Sequence, residues 1–263
     1  MNIELLAVAE LAARDAGQII LAALNQPRRP DYKGQTDLVT KTDQECEDLI
    51  IKHINSEFPG HSILAKESGA QDTKSDYQWV IDPLDGTTNF VHGYPSFGVS
   101  IACLRSGIPE VAVILELPVN RLFTAVKGQG AFVDGHKIKV SNTETLNESL
   151  LVTGFGYDHG NKWEANMKLF KHFTDKSQGV RRLGAAAIDL CHVACGFVDG
   201  FWEFDLKPWD TAAGILMVSE AGGKVSQLNG INIDIYQDHI LATNGNIHEI
   251  MLEHTKPVLE SLL

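Results

Sequence analysis

The chain opens with two stretches in which apolar residues recur at the three- and four-residue spacing of an amphipathic helix. The first covers residues 3–24, and the prolines of QPRRP at 26–30 predict its end. The second follows Thr42, where Thr42 and Glu45 match the S/T-x-x-E capping pattern. The pattern therefore predicts two helices and places Asp43 in the first turn of the second.

Between 62 and 133 the pattern changes to short β-branched or aromatic segments separated by Gly, Pro and Asn, which is typical of strands. These segments are SILA, WVID, SFGVSIACL, EVAVILEL and RLFTAV. After about residue 150 strands and helices alternate, in the order LLVTGF, helix 161–173, helix 185–195, GFWEF, helix 209–221, HILATN and a C-terminal helix. The alternation predicts an α/β half. No linker divides the chain, so we expect a single domain over 1–263, sheet-rich to about 148 and alternating from about 149.

The net charge excludes some classes of function. A formal net charge of -12 over 263 residues argues against a broad grip on nucleic acid or on an anionic membrane. Metal ions bound by clustered acids could still attract an anionic substrate. The four cysteines form no CxxC pair, which fits a reduced, cytoplasmic location. The first 17 residues contain acids and no long apolar run, so we expect neither a signal peptide nor a membrane span there.

The segment IDPLDGTT carries the first chemical signal. Asp82 ends a buried-strand pattern, and a carboxylate in such a place needs a partner, most simply a cation. Pro83 predicts the end of the strand and directs Asp85 toward the same edge. Gly86, Thr87 and Thr88 would then offer backbone N–H groups to a phosphate if a helix begins there. The alternative interpretation is an ordinary turn between strands.

Other acids occupy similar junctions, which favours the metal interpretation. They are Asp43 at a helix start, Glu67 after SILA and Asp210 in PWDTAAG. Asp210 follows Pro208 as a helix-capping acid would, so capping alone also explains it. The cluster Cys191, His192 and Cys195 suggests zinc, although such residues among apolar neighbours are more often part of a core.

Together these segments resemble the inositol monophosphatase family of metal-dependent, lithium-sensitive phosphatases. The resemblance rests on WVIDPLDGTTNFVHG at 79–93, WDTAAGILMVSEAGG at 209–223 and TDLVTKTDQ at 36–44, and it spans nearly the whole chain. It implies an α/β fold, a layered α-β-α-β-α sandwich of the inositol monophosphatase and fructose-1,6-bisphosphatase type. It also implies a magnesium cofactor, which suits oxygen-only ligands.

The resemblance also implies a role for each matching residue. Asp82 would bridge two metal ions, with Asp85 and Asp210 on the second and the Leu84 carbonyl on the first. Thr87 and Asp43 would orient the attacking water and help to deprotonate it. The N–H groups of Gly86 and Thr87, with Thr88 beside them, would hold the phosphate. Such a site needs positioning and charge neutralisation and no protein nucleophile.

Lys66 departs from the family pattern. The family shows two consecutive glutamates before a serine, of which the first ligates the first metal, whereas this chain has Lys66, Glu67 and Ser68. Three interpretations remain open. Glu67 replaces the lost ligand through a twist or bulge; Lys66 turns to solvent or pairs with an acid and leaves a weakened metal site; or the chain is a catalytically poor binding protein.

Substrate and partners are less determined by the sequence. By resemblance, Glu203 contacts sugar-alcohol hydroxyls and Gly184, Ala185 and Ala186 line the same region, although Glu203 also fits a solvent-facing strand position. Inositol-1-phosphate is the expected substrate, with fructose-1,6-bisphosphate, NADP, histidinol phosphate and adenosine 3′,5′-bisphosphate as alternatives. We expect a homodimer, for which the apolar strands between 97 and 126 offer an interface. Arg181 and Arg182 resemble a basic pair of members tied to transcription, which is weak evidence beside the net charge.

Overall fold

The helices follow the predicted pattern closely in a computed structural model, which describes residues 2–26, 30–32 and 38–262. The α-helices in that part of the chain are α1 Asn2–Ala23, α2 Lys41–Glu57, α3 Thr87–His92, α4 Asn161–Lys176, α5 Ala186–Ala194, α6 Pro208–Glu220 and α7 His248–Glu260. A short 3-10 helix covers Leu146–Glu148. The predicted stop signal at 26–30 lies partly outside the described residues, as does the start of the segment 36–44.

The strands fall into two main sheets and one short pair. They are β1 Asp31–Tyr32, β2 Leu38–Val39, β3 Ser62–Ala65, β4 Gly69–Gln71, β5 Tyr77–Asp85, β6 Phe97–Arg105, β7 Ile108–Leu117, β8 Arg121–Val126, β9 Gly130–Val133, β10 His136–Lys137, β11 Leu150–Thr153, β12 Gly179–Arg181, β13 Gly200–Phe204, β14 Lys224–Ser226 and β15 His239–Thr243. The large sheet has the order β10-β9-β8-β7-β6-β5-β3-β4, and the smaller one β12-β11-β13-β15-β14. The large sheet is antiparallel except between β3 and β5, whereas β11 runs parallel to both of its neighbours.

Three apolar clusters join these elements into five layers. One cluster packs α1 and α2 on the large sheet, a second places α5 and α6 between the two sheets, and a third packs α4 and α7 on the small sheet. The α-β-α-β-α sandwich predicted from the resemblance is thereby confirmed. No helix among the described residues is long and apolar enough to cross a membrane.

The start of α2 differs from the predicted capping pattern. The capping residue is Thr40 rather than Thr42, because Thr40 has an extended backbone and its hydroxyl accepts the N–H of Asp43. The Asp43 carboxylate in turn accepts the N–H of Thr40 at 2.7 Å. Thr42 lies inside the first turn, so the match with Glu45 was wrong, while the position of Asp43 in that turn is confirmed.

Strand β5 also differs from the prediction, since it does not end at Pro83. It continues to Asp85, and its pairing with β6 shifts between Asp82, opposite Ser100, and Asp85, opposite Gly98. Three steps along β5 therefore match two along β6. Such a bulge accommodates a proline, because the extra residue needs no ladder hydrogen bond. Both aspartates still reach the same edge, as expected.

The interface expected from strands 97–126 is not available on this structure. Nearly all of the apolar side chains in β6, β7 and β8 are buried within the single chain. They pack on one face against α1 and on the other against α6. These side chains are therefore part of the core, so the predicted homodimer would need a different surface.

Candidate active site

Three carboxylates meet where β5 ends and α6 begins. Ligand oxygens of Asp82, Asp85 and Asp210 all lie within 4.8 Å of one another. Pro208 occupies the first turn of α6, and the Asp210 carboxylate accepts the N–H of Lys207 at 2.6 Å. Asp210 therefore both caps α6 and belongs to the carboxylate cluster.

Backbone N–H groups hold the two β5 carboxylates in place. Asp82 accepts the N–H of Leu84 at 3.1 Å. Asp85 accepts the N–H of Ala187 at 2.9 Å, in the first turn of α5, and that of Gly86. A helix N-terminus stabilises a carboxylate through its free N–H groups and its dipole. Gly86, whose N–H was expected to bind phosphate, borders the cavity.

Lys66 points into this cluster rather than toward solvent. Its ammonium donates to both carboxylate oxygens of Asp82, at 3.1 and 2.9 Å, and to the Leu84 carbonyl at 3.3 Å. Glu67 does not belong to the cluster. It lies in the turn after β3, where its N–H donates to Glu47 at 2.8 Å. Of the interpretations left open by the sequence, the pairing of Lys66 with an acid is the one that the structure has.

Burial and mutual repulsion set the charges in the cluster. Burial raises the pKa of Asp82 well above its usual value, with Lys66 opposing the rise and Asp85 adding to it. Burial likewise raises the pKa of Asp85 to about 6, against the attraction of Lys66 and with the repulsion of Asp210. For Lys66, burial alone would lower the pKa, but the surrounding carboxylates outweigh it and the pKa is raised. The cluster thus retains a lysine cation and still carries excess negative charge.

Asp43 and Thr87 form a hydrogen-bonded pair beside the cluster. The Thr87 hydroxyl lies 2.9 Å from one oxygen of Asp43 and 3.1 Å from the Leu84 carbonyl. The other Asp43 oxygen accepts both the N–H and the hydroxyl of Thr40. An ionised carboxylate only accepts, so Thr87 directs its hydrogen away from the cavity and keeps lone pairs free. Thr87 borders the cavity, whereas Asp43 is fully buried behind it.

The turn into α3 brings backbone close to this site. Gly86 has φ of 80°, and a Cβ there would lie 2.8 Å from the Ser96 carbonyl, so this position requires glycine. A helix does begin at Thr87, as the phosphate interpretation needed. Thr88 does not border the cavity, and its hydroxyl is buried without a hydrogen-bond partner.

A cavity of about 320 Å³ opens in front of these groups. Its lining includes most of the residues predicted for the site, namely Asp85, Gly86, Thr87, Gly184, Ala185, Ala186, Glu203 and Asp210. Glu203 lies on β13 with 7% of its surface exposed, so the solvent-facing interpretation was wrong. Burial raises its pKa well above the usual value, Asp210 adds to the rise and Arg182 opposes it.

Three residues important to the site were missed from the sequence. Arg182 borders the cavity, whereas the sequence suggested a link to transcription. Its position two residues before the predicted site residue Gly184 was the available signal. Asp189 on α5 is fully buried, and neither carboxylate oxygen has a hydrogen-bond partner. Glu47 on α2 binds two N–H groups of the turn that carries Lys66. Nothing in the sequence pattern distinguished Glu47 from a surface acid.

The zinc interpretation finds no support in the geometry. Among the described residues, the one group with metal-ligand spacing is Asp82, Asp85 and Asp210. His192 instead contacts Glu116 at 3.2 Å, and the buried thiol of Cys191 has a raised pKa. All four cysteines are free.

The donor set of the cluster fits a hard divalent cation. It offers carboxylate oxygens only, which suits magnesium, calcium or manganese rather than zinc or copper. The raised pKa of both β5 aspartates shows that further positive charge would stabilise their ionised forms. The cluster could therefore hold a metal ion, although Lys66 already contacts one of its three acids.

Comparisons with known proteins agree with this arrangement. The family model described as the inositol monophosphatase family matches residues 1–260. The chain is 49% identical to "Phosphatase IMPL1, chloroplastic" of Arabidopsis thaliana, covering 98% of this chain and 71% of that protein. It is 42% identical to "Nus factor SuhB" of Pasteurella multocida, covering 97% of both. A solved inositol monophosphatase from Anabaena (Nostoc) sp. PCC 7120 superposes with a TM-score of 0.88 at 42% identity, covering 99% of this chain and 97% of that one.

Proposed function

The chain belongs to the inositol monophosphatase family, and from this we propose that it hydrolyses a small phosphate monoester with magnesium, inositol-1-phosphate before others. The observation that carries the proposal is the cluster of Asp82, Asp85 and Asp210, because Asp85 and Asp210 border the same cavity as Thr87. Magnesium at these carboxylates would supply charge neutralisation and a lower pKa for the attacking water. The residues of the chain then have to hold the ester and orient that water.

Thr87 and Asp43 would orient the water. Since Thr87 directs its hydrogen toward Asp43, its free lone pairs can accept a hydrogen bond from a water molecule in the cavity. Asp43 acts through Thr87 because it does not reach the cavity itself. Attack forms a bond between the water oxygen and phosphorus as the ester P–O bond breaks, and the leaving alkoxide takes up a proton. Such a transfer depends on positioning and charge more than on covalent chemistry.

Lys66, Arg182 and Glu203 border the space left for the ester. The two cations would attract the phosphate in an otherwise acidic protein. Glu203 would bind substrate hydroxyls, because a buried carboxyl group left without a polar partner is costly. Support for inositol-1-phosphate also comes from the name of the solved Anabaena relative. The same geometry would serve the other esters considered from the sequence.

The proposal is tested by phosphate release from inositol-1-phosphate, fructose-1,6-bisphosphate, NADP, histidinol phosphate and adenosine 3′,5′-bisphosphate over a range of Mg²⁺ concentrations. We expect the highest kcat/KM for inositol-1-phosphate, with magnesium required. The Asp85→Asn variant, which keeps the shape of the side chain, is the control. Turnover no higher than in that control on every ester would exclude a phosphatase. A clear preference for another ester would exclude only the substrate.

Several finer properties remain part of the proposal: lithium sensitivity, a homodimer and a cytoplasmic location. A transcriptional role, suggested by the relative named as a Nus factor, gains no support from the basic pair at 181 and 182, because Arg182 belongs to the cavity. Co-purification of an RNA polymerase subunit would revive that role. Sedimentation of the purified protein would test the dimer.

A further inference from the structure

The ammonium of Lys66 has the contacts of a bound cation. Three hydrogens of a lysine ammonium face three acceptors: both oxygens of Asp82 and the Leu84 carbonyl. By resemblance, Asp82 and Leu84 are the residues expected to ligate the first of two metal ions. The ammonium therefore contacts the oxygens that one of those ions would need.

The turn that carries Lys66 holds it in this direction. Its N–H donates to the Ile81 carbonyl on β5 at 3.2 Å. The next two N–H groups, of Glu67 and Ser68, donate to the carboxylate of Glu47 at 2.8 and 2.7 Å. Glu47 is itself only 2% exposed, so the turn is anchored to the interior of α2. With its backbone fixed at three successive N–H groups, Lys66 cannot turn outward without breaking its hydrogen bonds to Asp82.

Charge balance leads to the same conclusion. When a bound divalent ion keeps all three carboxylates ionised, these carboxylates and the ammonium together carry two negative charges, which that single ion neutralises. A second divalent ion beside the ammonium would face a like charge at about the distance of a ligand, in a buried setting where repulsion is strong. A glutamate at position 66 would reverse this, because it would add a ligand where the cation now lies.

We propose that the Lys66 ammonium permanently replaces one divalent cation at the cluster, so that the chain binds one divalent ion, held by Asp85 and Asp210, where its family pattern implies two. The inference rests on the proposed function in assuming that the cluster binds a metal at all. One of the three positive charges at the cluster then comes from the side chain of Lys66.

The number of bound ions tests the inference directly. Mn²⁺ is titrated into the purified full-length protein, and free Mn²⁺ is followed by its electron paramagnetic resonance signal. We expect one Mn²⁺ per chain in the native protein and two in Lys66→Glu. Lys66→Met, which removes the charge without adding a ligand, should bind its first ion at least about tenfold more tightly, the effect of about 1.4 kcal/mol less repulsion. Lys168→Glu, an exposed change of the same charge on α4, should behave as the native protein.

The possible failures can be told apart. Two Mn²⁺ per native chain, with turnover on phosphate esters intact, would overturn the role of Lys66 and leave the phosphatase proposal standing. No bound Mn²⁺ would overturn both. If Lys66→Glu does not fold, the number of Mn²⁺ ions bound by the native protein and the Mn²⁺ affinity of Lys66→Met still test the inference. Anomalous scattering from crystals soaked in Mn²⁺ would also show how many ions are bound.

Discussion

Two pairs of buried acids, each with one member that borders the cavity, differ in how their charge is balanced. Asp82 and Asp85 are 0% and 6% exposed, and they contact Lys66 or backbone N–H groups. Asp189 and Glu203 are buried to the same extent, at 0% and 7%. Yet Asp189 has no hydrogen-bond partner for either oxygen, and Arg182 is the one cation that lowers the pKa of these two acids. Burial alone therefore does not make a metal site.

The difference shows what each group is suited to do. At Asp82 and Asp85, burial also raises the pKa values, but hydrogen bonds and the nearby ammonium of Lys66 oppose the rise and make the ionised form, which can bind a metal ion, less costly. At Asp189 and Glu203, burial raises both pKa values with less compensation, which favours neutral acids that can donate as well as accept. A neutral carboxyl group suits hydroxyls of an uncharged polyol. Under the proposed function, the cavity would join an ionic region that binds the phosphate to a polar region that binds the rest of the substrate.

The largest expected effect comes from comparing amide variants of one acid in each group. Asp85→Asn should lower kcat/KM on the best ester about 10³-fold, or about 4 kcal/mol, because the ionised ligand is lost while the side-chain shape remains. Asp189→Asn should lower it less than tenfold. Steady-state kinetics on both variants at saturating Mg²⁺ provide the measurement. Equal losses in the two would mean that the two groups of acids do not differ in function.

The effect of Mg²⁺ on thermal stability should also differ between variants of the two groups of acids. A ligand at a hundred times its Kd stabilises a folded protein by about 2.7 kcal/mol. Added Mg²⁺ should therefore raise the Tm of the native protein and of Asp189→Asn alike. It should have no effect on Asp210→Asn, whose amide oxygen can still accept the N–H of Lys207. A Tm of Asp210→Asn that rises with Mg²⁺ as in the native protein would place the metal elsewhere.

Substrate preference should depend on the second group alone. Glu203→Gln should raise the KM for inositol-1-phosphate about tenfold, or about 1.4 kcal/mol, the usual effect of one altered hydrogen bond to a ligand. The KM for phenyl phosphate, which has no hydroxyls beyond the phosphate, should stay the same. Both are measured at one Mg²⁺ concentration. An equal rise in the KM for phenyl phosphate would show that Glu203 affects the ionic region rather than the recognition of substrate hydroxyls.

The sequence predicted the three clustered acids but not the direction of Lys66, and the reason is physical. Asp82, Asp85 and Asp210 stand at the ends of elements whose patterns are strong, so local rules place them. The turn that carries Lys66 is anchored by Glu47 on α2 through the N–H of Glu67, twenty residues away, and no local rule links these residues. The roles of Arg182 and Asp189 likewise depend on the packing of α5 between the two sheets, which no local pattern predicts.

The strand boundaries likewise depend in part on local sequence and in part on contacts with distant residues. The limits of GFWEF and RLFTAV were predicted to the residue, since apolar runs end there at turn residues. Strand β12 was missed, because it is a three-residue edge strand stabilised by pairing with β11 rather than by its own pattern. The order of the layers came from the family resemblance, since periodicity indicates which face is buried and not against what.

A further expected effect concerns Asp189 and the pH dependence of stability. Burial raises the pKa of Asp189 above its unfolded value, so the native state binds more protons than the unfolded state and stability falls as pH rises from about 4. Asp189→Asn removes this loss. Urea unfolding should show the variant gaining stability over the native protein from pH 5 to pH 8, by about 1–3 kcal/mol, the cost of a buried unpaired group.

Asp199 supplies the matched control for that measurement. It is 6% exposed, but its carboxylate accepts the Ser141 hydroxyl and, at 2.7 Å, the N–H of Leu150. Asp199→Asn should therefore destabilise the protein at pH 8, because an ionised, hydrogen-bonded acceptor is weakened. A stability gain in both variants would show that any loss of buried charge stabilises this chain. Opposite signs would show that the hydrogen-bond partners of a buried acid, and not its burial, decide its effect.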